Sequence, residues 1–131
     1  MKNTSLSWIE WLERLDRILT STRKDVAAMA KSGGSSSVSA IERSKRQLSA
    51  LNEELRLLDR RVLVREPDGG ADRASDLQRA LDSALLQLGA FLDRPFLDQQ
   101  LAARSLSAID TALRDSRYEA EVMIGARRRT A

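Results

Sequence analysis

Neither cysteine nor histidine occurs anywhere in this chain of 131 residues. Without cysteine there is no disulfide framework and no thiolate metal site. The two absences together exclude Cys/His zinc patterns, Ser-His-Asp and Cys-His catalysis, and the Glu-x-x-His pairs that build di-iron centres in helical bundles. Aromatic residues make up only 4% of the chain, so most packing must come from Leu, Ala, Val and Ile. Long apolar runs are missing too, because charged residues interrupt every apolar stretch. Met1 to Ser7 lacks the basic region and apolar run of a secretory signal, which predicts a soluble, cytoplasmic protein.

What is present suits a helical protein. The chain is 42% hydrophobic and 31% charged, a balance foreign to a disordered tail. Its length is that of one domain, and folding would remove roughly two-thirds of its extended surface from water. The net charge of +3 is the small difference between 22 basic and 19 acidic residues spread along the chain, which argues against a dedicated nucleic-acid binder.

Apolar periodicity predicts four helices and offers no place for a strand. Ser7-Trp8-Ile9-Glu10 reads as a capping box, and Trp8, Trp11, Leu12, Leu15, Ile18, Leu19, Val26 and Met29 follow as one stripe, so the first helix is expected from about 8 to 31. Ser32-Gly33-Gly34-Ser35-Ser36-Ser37 reads as a flexible loop. A second box at Ser39-Ala40-Ile41-Glu42 opens a helix from about 40 to 65. There Ile41, Leu48, Leu55 and Val62 repeat as a heptad, with Ser44, Leu51 and Leu58 as the companion series. Glu66-Pro67-Asp68-Gly69-Gly70 ends it.

The third helix, from about 73 to 93 with Asp72 as cap, carries Leu77, Leu81, Ala84, Leu88 and Phe91 on one face. Arg94-Pro95 breaks the pattern. The fourth, from about 95 to 124, carries Ala102, Leu106, Ile109, Leu113, Ala120 and Met123, with Gly125 as terminator and a basic tail over 126–131. The expected fold is all-α: an antiparallel four-helix bundle, or extended helical hairpins, with coiled-coil-like heptads, in a single domain.

Several features invite a functional reading. Trp8 and Trp11 combine large apolar area with an N–H that seeks a partner, as binding hot spots do; their place on the stripe with Leu12 and Leu15 favours the closing of one end of a bundle. The first helix mixes Glu10, Glu13 and Asp16 with Arg14 and Arg17, which argues against a membrane-surface role. Arg56, Arg60, Arg61 and Arg65, and the Arg127-Arg128-Arg129 run, are cations near helix ends with no interleaved aromatic to stack on bases. Glu53-Glu54 and Glu119-Glu121 have no catalytic or metal-ligand spacing, so the expectation is no enzyme, no cofactor and no metal.

Near the end of the fourth helix, Val122-Met123-Ile124 are consecutive and cannot share one face, so either apolar surface remains beside Tyr118 or the helix end is fully buried under the Trp pair. The candidate partner-binding residues are therefore Leu113, Tyr118, Val122, Met123, Ile124, Trp8 and Trp11. The partner is expected to be a protein held by helix–helix contacts, and the heptads also permit a homo-oligomer.

Ile41-x3-Lys45-x2-Leu48-x2-Leu51-x3-Leu55-x2-Leu58-x2-Arg61-x-Leu63 resembles the segment opening the second long helix of FlgN-type flagellar export chaperones. The layout is similar as well, with an apolar first helix, a turn, and a long last helix near Tyr118 and Gly125; the Asn-rich stretch of that family is absent, with Gln99-Gln100 in its place. The resemblance implies a small cytoplasmic chaperone that holds a helix of an export substrate and delivers it to a secretion apparatus. The same helix also looks like part of the regulatory bundle of syntaxin-type SNAREs, although no SNARE motif follows. The readings that emerge are an export-type chaperone or adaptor, a constitutive subunit of a larger assembly, and, third, a nucleic-acid-binding helical protein.

Overall fold

Trp8, Leu12, Leu15, Leu19, Val26 and Met29 fall on one side of a helix and must find other apolar stripes to cover them. In the computed structural model the described residues are 4–32, 35–57, 70–93 and 99–130, with side chains described over 8–31, 37–57, 73–93 and 103–125. Every described residue is helical: α1 spans Thr4–Ser32, α2 Ser35–Leu57, α3 Gly70–Asp93 and α4 Gln99–Thr130.

The helices form a ring in which each packs on its chain neighbours and α1 closes on α4. Directions follow from the bridging side chains. Arg14 meets Glu54 while Asp25 meets Ser44, so α2 runs against α1. Asn52 meets Asp82 while Lys45 lies beside Gly89, so α3 runs against α2. Arg23 meets Asp110 while Arg117 meets Asp16, so α4 runs against α1 and therefore against α3. The result is an up-down-up-down antiparallel bundle.

Inside it the predicted stripes meet one another. Ile41, Leu48, Leu51 and Leu55 of α2, Leu77, Leu81, Ala84, Leu88 and Phe91 of α3, and Leu106, Ile109, Leu113, Ala120 and Met123 of α4 are all buried. The hydroxyl members of these stripes find acceptors close by. Thr22 donates to the Ile18 carbonyl at 2.7 Å and Ser116 to that of Ala112 at 2.9 Å, while Ser44 donates to Asp25 at 3.0 Å. Buried Asn52 donates to Asp82 at 2.7 Å.

Helix ends depart from the sequence expectation in a consistent direction. α1 begins at Thr4 and α2 at Ser35, so Ser7 and Ser39 lie within helices, and Ser35-Ser36-Ser37 is helix where a loop is expected. α3 begins at Gly70, ahead of Asp72. α4, described from Gln99, runs through Gly125 and the basic 126–130 stretch to Thr130, and its expected start at Pro95 lies outside the described residues. The physical reason is cooperativity. Serine is only mildly unfavourable in a helix and glycine costs roughly 1 kcal/mol, less than a packed neighbouring turn returns. The expected continuation of the second helix over 58–65, the turn at Glu66-Pro67-Asp68-Gly69, Gly33-Gly34 and the break at Arg94-Pro95 lie outside the described residues.

Each of the four seams carries an ion pair: Arg14–Glu54 at 3.1 Å, Arg56–Asp82 at 3.2 Å, Arg73–Glu119 at 3.9 Å, and on α1/α4 both Arg23–Asp110 and Arg117–Asp16 at 2.9 Å. The α1/α4 charges are reciprocal. Asp16 and Arg23 are seven residues apart on α1, as are Asp110 and Arg117 on α4. A slip of one heptad, about 10 Å along the axis, would oppose Asp16 to Asp110 or Arg23 to Arg117. Such a slip preserves the apolar register and is penalised only by the charges.

The hydrogen bond from Arg117 to Asp16, and then the charge of Asp16, raise the guanidinium pKa above its ordinary value. A raised folded value means the contribution is complete below the unfolded pKa and is lost only above it, so Arg117 contributes throughout the neutral range.

Two stability predictions follow from this packing. A Cβ at Gly89 would lie 3.5 Å from Lys45 Cε, an ordinary contact, so Gly89→Ala is expected to stabilise by about 0.5–1 kcal/mol, read as an increase in the thermal midpoint. Arg117→Met is expected to cost about 0.5–1 kcal/mol in low salt. Equal losses in low and high salt would show that the residue acts by packing and not by charge.

Candidate partner-binding surface

Apart from Leu113, which lies midway along α4, the sequence-predicted partner residues lie at one end of the bundle, where the start of α1, the end of α2, the start of α3 and the end of α4 meet. They do not form one exposed face. Trp8 is buried at 7% exposure, with Met123 at 4% and Ile124 at 8%, while Leu113 is sealed in the core. Trp8 and Trp11 stack with ring centroids 5.3 Å apart and planes 8° from parallel. Trp11 is half-buried and its Nε1 donates to Glu54 Oε2 at 3.0 Å, the same oxygen that receives Arg14 Nη2 at 3.1 Å. The indole N–H is therefore satisfied inside the bundle, and the tryptophan pair covers the end of the core.

Tyr118 and Val122 are the members of the set that face outward. Tyr118 is 61% exposed and Val122 half-buried, one turn apart on the outer side of α4. Leu57 and Leu86 are also exposed, but on the outer sides of α2 and α3. Single exposed apolar residues on different helices are ordinary for a folded surface and do not define a site.

A larger apolar feature lies elsewhere, and the periodicity did not point to it. Towards the C-terminal half of α1, the α1/α4 seam opens into a groove of about 530 Å³. Its lining includes buried Val26 and Leu106 and the exposed Ala27, Ala30 and Ala103, with the Arg23–Asp110 ion pair also along it. The groove exists because short side chains stand where larger ones would close the seam. The only signal for it in the sequence is alanine at 27, 28, 30, 102 and 103. A second hollow on the same seam, about 470 Å³, is lined by Glu13, Asp16, Arg17, Glu121, Ile124 and Gly125 and is about as polar as it is apolar.

The acidic pairs serve the seams. Glu53 pairs with Arg56 at 3.6 Å while Glu54 turns to Trp11 and Arg14. Glu119 pairs with Arg73 across α3/α4, and Glu121 with Arg117 at 3.1 Å along α4. Among the described residues no group of three or more acidic side chains converges as a metal site, and no helix is long and apolar enough to cross a membrane. Arg56 faces Asp82; the other arginines of that cluster, at 60, 61 and 65, lie outside the described residues. No protein family, curated protein or solved structure matches this chain.

Both tryptophans of the chain sit at this end, so intrinsic fluorescence reports on it alone. Glu54→Ala removes the acceptor shared by Trp11 and Arg14 and is expected to shift tryptophan emission and cost about 1–2 kcal/mol in denaturant unfolding. An unchanged emission spectrum would mean that Glu54 does not hold the indole.

Proposed function

We propose that the chain is a non-catalytic protein-binding module that holds a helix of a partner, most concretely as a small export-type chaperone or adaptor. The observation that supports this reading is the groove of about 530 Å³ between α1 and α4, an apolar depression reaching buried Val26 and Leu106. A groove between two helices is the shape that takes the apolar face of a third. Water leaves both apolar faces on docking, and flanking charges select orientation. The resemblance of the second helix to export chaperones supplies the concrete form of the proposal, in which the held helix belongs to a substrate awaiting delivery.

The test is an affinity purification of the tagged full chain from its native cell extract, at moderate salt with nuclease, followed by mass spectrometry. Recovery of one helical export substrate or a secretion component is the expected result. A fixed multi-protein set in constant ratio would replace the reading with that of a constitutive subunit, and recovery of the chain alone would replace it with homo-oligomerisation.

A further inference from the structure

We propose that the α1/α4 groove takes an acidic amphipathic helix, with bulky aliphatic anchors on one face and Asp or Glu flanking them. This deepens the reading of the chain as a helix-holding module and rests on it. The apolar part follows from the floor. Val26 and Leu106 are buried in the bundle yet line the groove, and Ala27, Ala30 and Ala103 do not fill the space above them. Leucine or isoleucine at helical spacing would fill it and displace water from the floor.

The acidic part follows from the charges around it. Residues 20–31 and 103–114, which make up this half of the seam, carry the five cations Arg23, Lys24, Lys31, Arg104 and Arg114 against the two carboxylates Asp25 and Asp110. Both carboxylates are engaged, Asp25 by Ser44 at 3.0 Å and Asp110 by Arg23 at 2.9 Å. Lys24 and Lys31 stand one heptad apart on α1 and Arg114 on α4, all exposed, and among the described residues none of them has an anionic partner. A helix carrying carboxylates beside its anchors is drawn to this half, whereas a basic helix is repelled.

The other half of the seam has a different character. Glu13, Asp16 and Glu121 line its hollow beside Arg17. An acidic helix is not favoured there, so its charged stretch is confined to the turns beside Lys24 and Lys31. Nucleic acid fits the groove less well, because phosphate has no use for an apolar floor and the lining contains no aromatic residue on which a base could stack.

The experiment uses the full chain and two fluorescein-labelled synthetic peptides of about 18 residues. Both carry the same leucine face, one flanked by Glu and the other by Lys. Binding is read by anisotropy at moderate salt, and self-association of the chain by sedimentation velocity. The Glu peptide is expected to bind at least about tenfold more tightly than the Lys peptide. Lys24→Glu combined with Arg114→Glu should reverse that preference. Ala103→Leu, which fills the groove, should weaken the Glu peptide by about tenfold with helicity preserved and the thermal midpoint unchanged or raised.

Equal or stronger binding of the Lys peptide, or indifference to both variants, overturns the proposal. So does a dimer of the chain that Ala103→Leu abolishes, since the occupant is then a second copy, and so does a labelled oligonucleotide that displaces the Glu peptide at moderate salt. The two readings fail separately. A natural partner whose capture ignores these variants removes the groove assignment and leaves the helix-holding module; Glu-peptide binding in the groove with no natural partner captured does the reverse.

Discussion

Helices α1 and α4 lie at opposite ends of the described chain, and their contact turns two helical hairpins into a closed bundle. The energy of that closure is apolar. Leu12, Leu15 and Leu19 of α1 and Ile109 and Leu113 of α4 are fully buried, and each such side chain contributes roughly 1.5–3 kcal/mol by leaving water. The reciprocal pairs Arg23–Asp110 and Arg117–Asp16 contribute much less, since their side chains keep 25–36% of their exposure. Their role is selection. Leucine stripes with a heptad repeat fit nearly as well after a slip of two turns, and at this seam the charges are what distinguishes the registers.

The same division of labour runs around the ring. Each seam buries apolar residues in its interior and places an Arg–carboxylate pair at its edge, with the Asn52–Asp82 hydrogen bond adding a buried polar contact on α2/α3. A buried amide that donates to one carboxylate commits its helix to a single depth and rotation, which is how polar core groups fix register in helical assemblies. At the end where the tryptophans stack, Glu54 joins α2 to two residues of α1 through one oxygen atom. Some of the charged residues that look like a mixed solvated surface in sequence pair across the seams and help to set register.

This explains what could be read in advance. The four helices, their buried faces and the all-α class follow from spacing alone, because a helix turns leucines at three and four onto one side whatever it packs against. The seams could not be read that way: Arg23 and Asp110 are 87 residues apart and Arg117 and Asp16 are 101 apart, so no local pattern joins them. Val122-Met123-Ile124 shows the limit clearly. Three consecutive apolar residues cannot all point one way, yet the bundle end buries Met123 and Ile124 and half-covers Val122, because α1 and α3 flank α4 there. The candidate surface was legible only in Tyr118 and Val122, while the groove is marked by what alanine lacks.

The groove then stands out as the place where the chain departs from its own packing rule. Over much of the core Leu, Ile, Trp or Phe occupies the inward positions, and the small residues there, Ala74, Ala84, Ala112 and Ala120, are themselves buried. At 27, 30 and 103 alanine leaves part of the α1/α4 seam open over Val26 and Leu106. Larger aliphatic residues at those positions would cover more apolar surface, at roughly 25 cal/mol per Å² removed from water, and would cost helix propensity only slightly. Stability by itself therefore gives no reason for the gap. A surface that must accept another helix does give one, because the area left uncovered in the free chain is the area available to drive association. Beside it Lys24, Lys31 and Arg114 are exposed and, among the described residues, have no anionic partner.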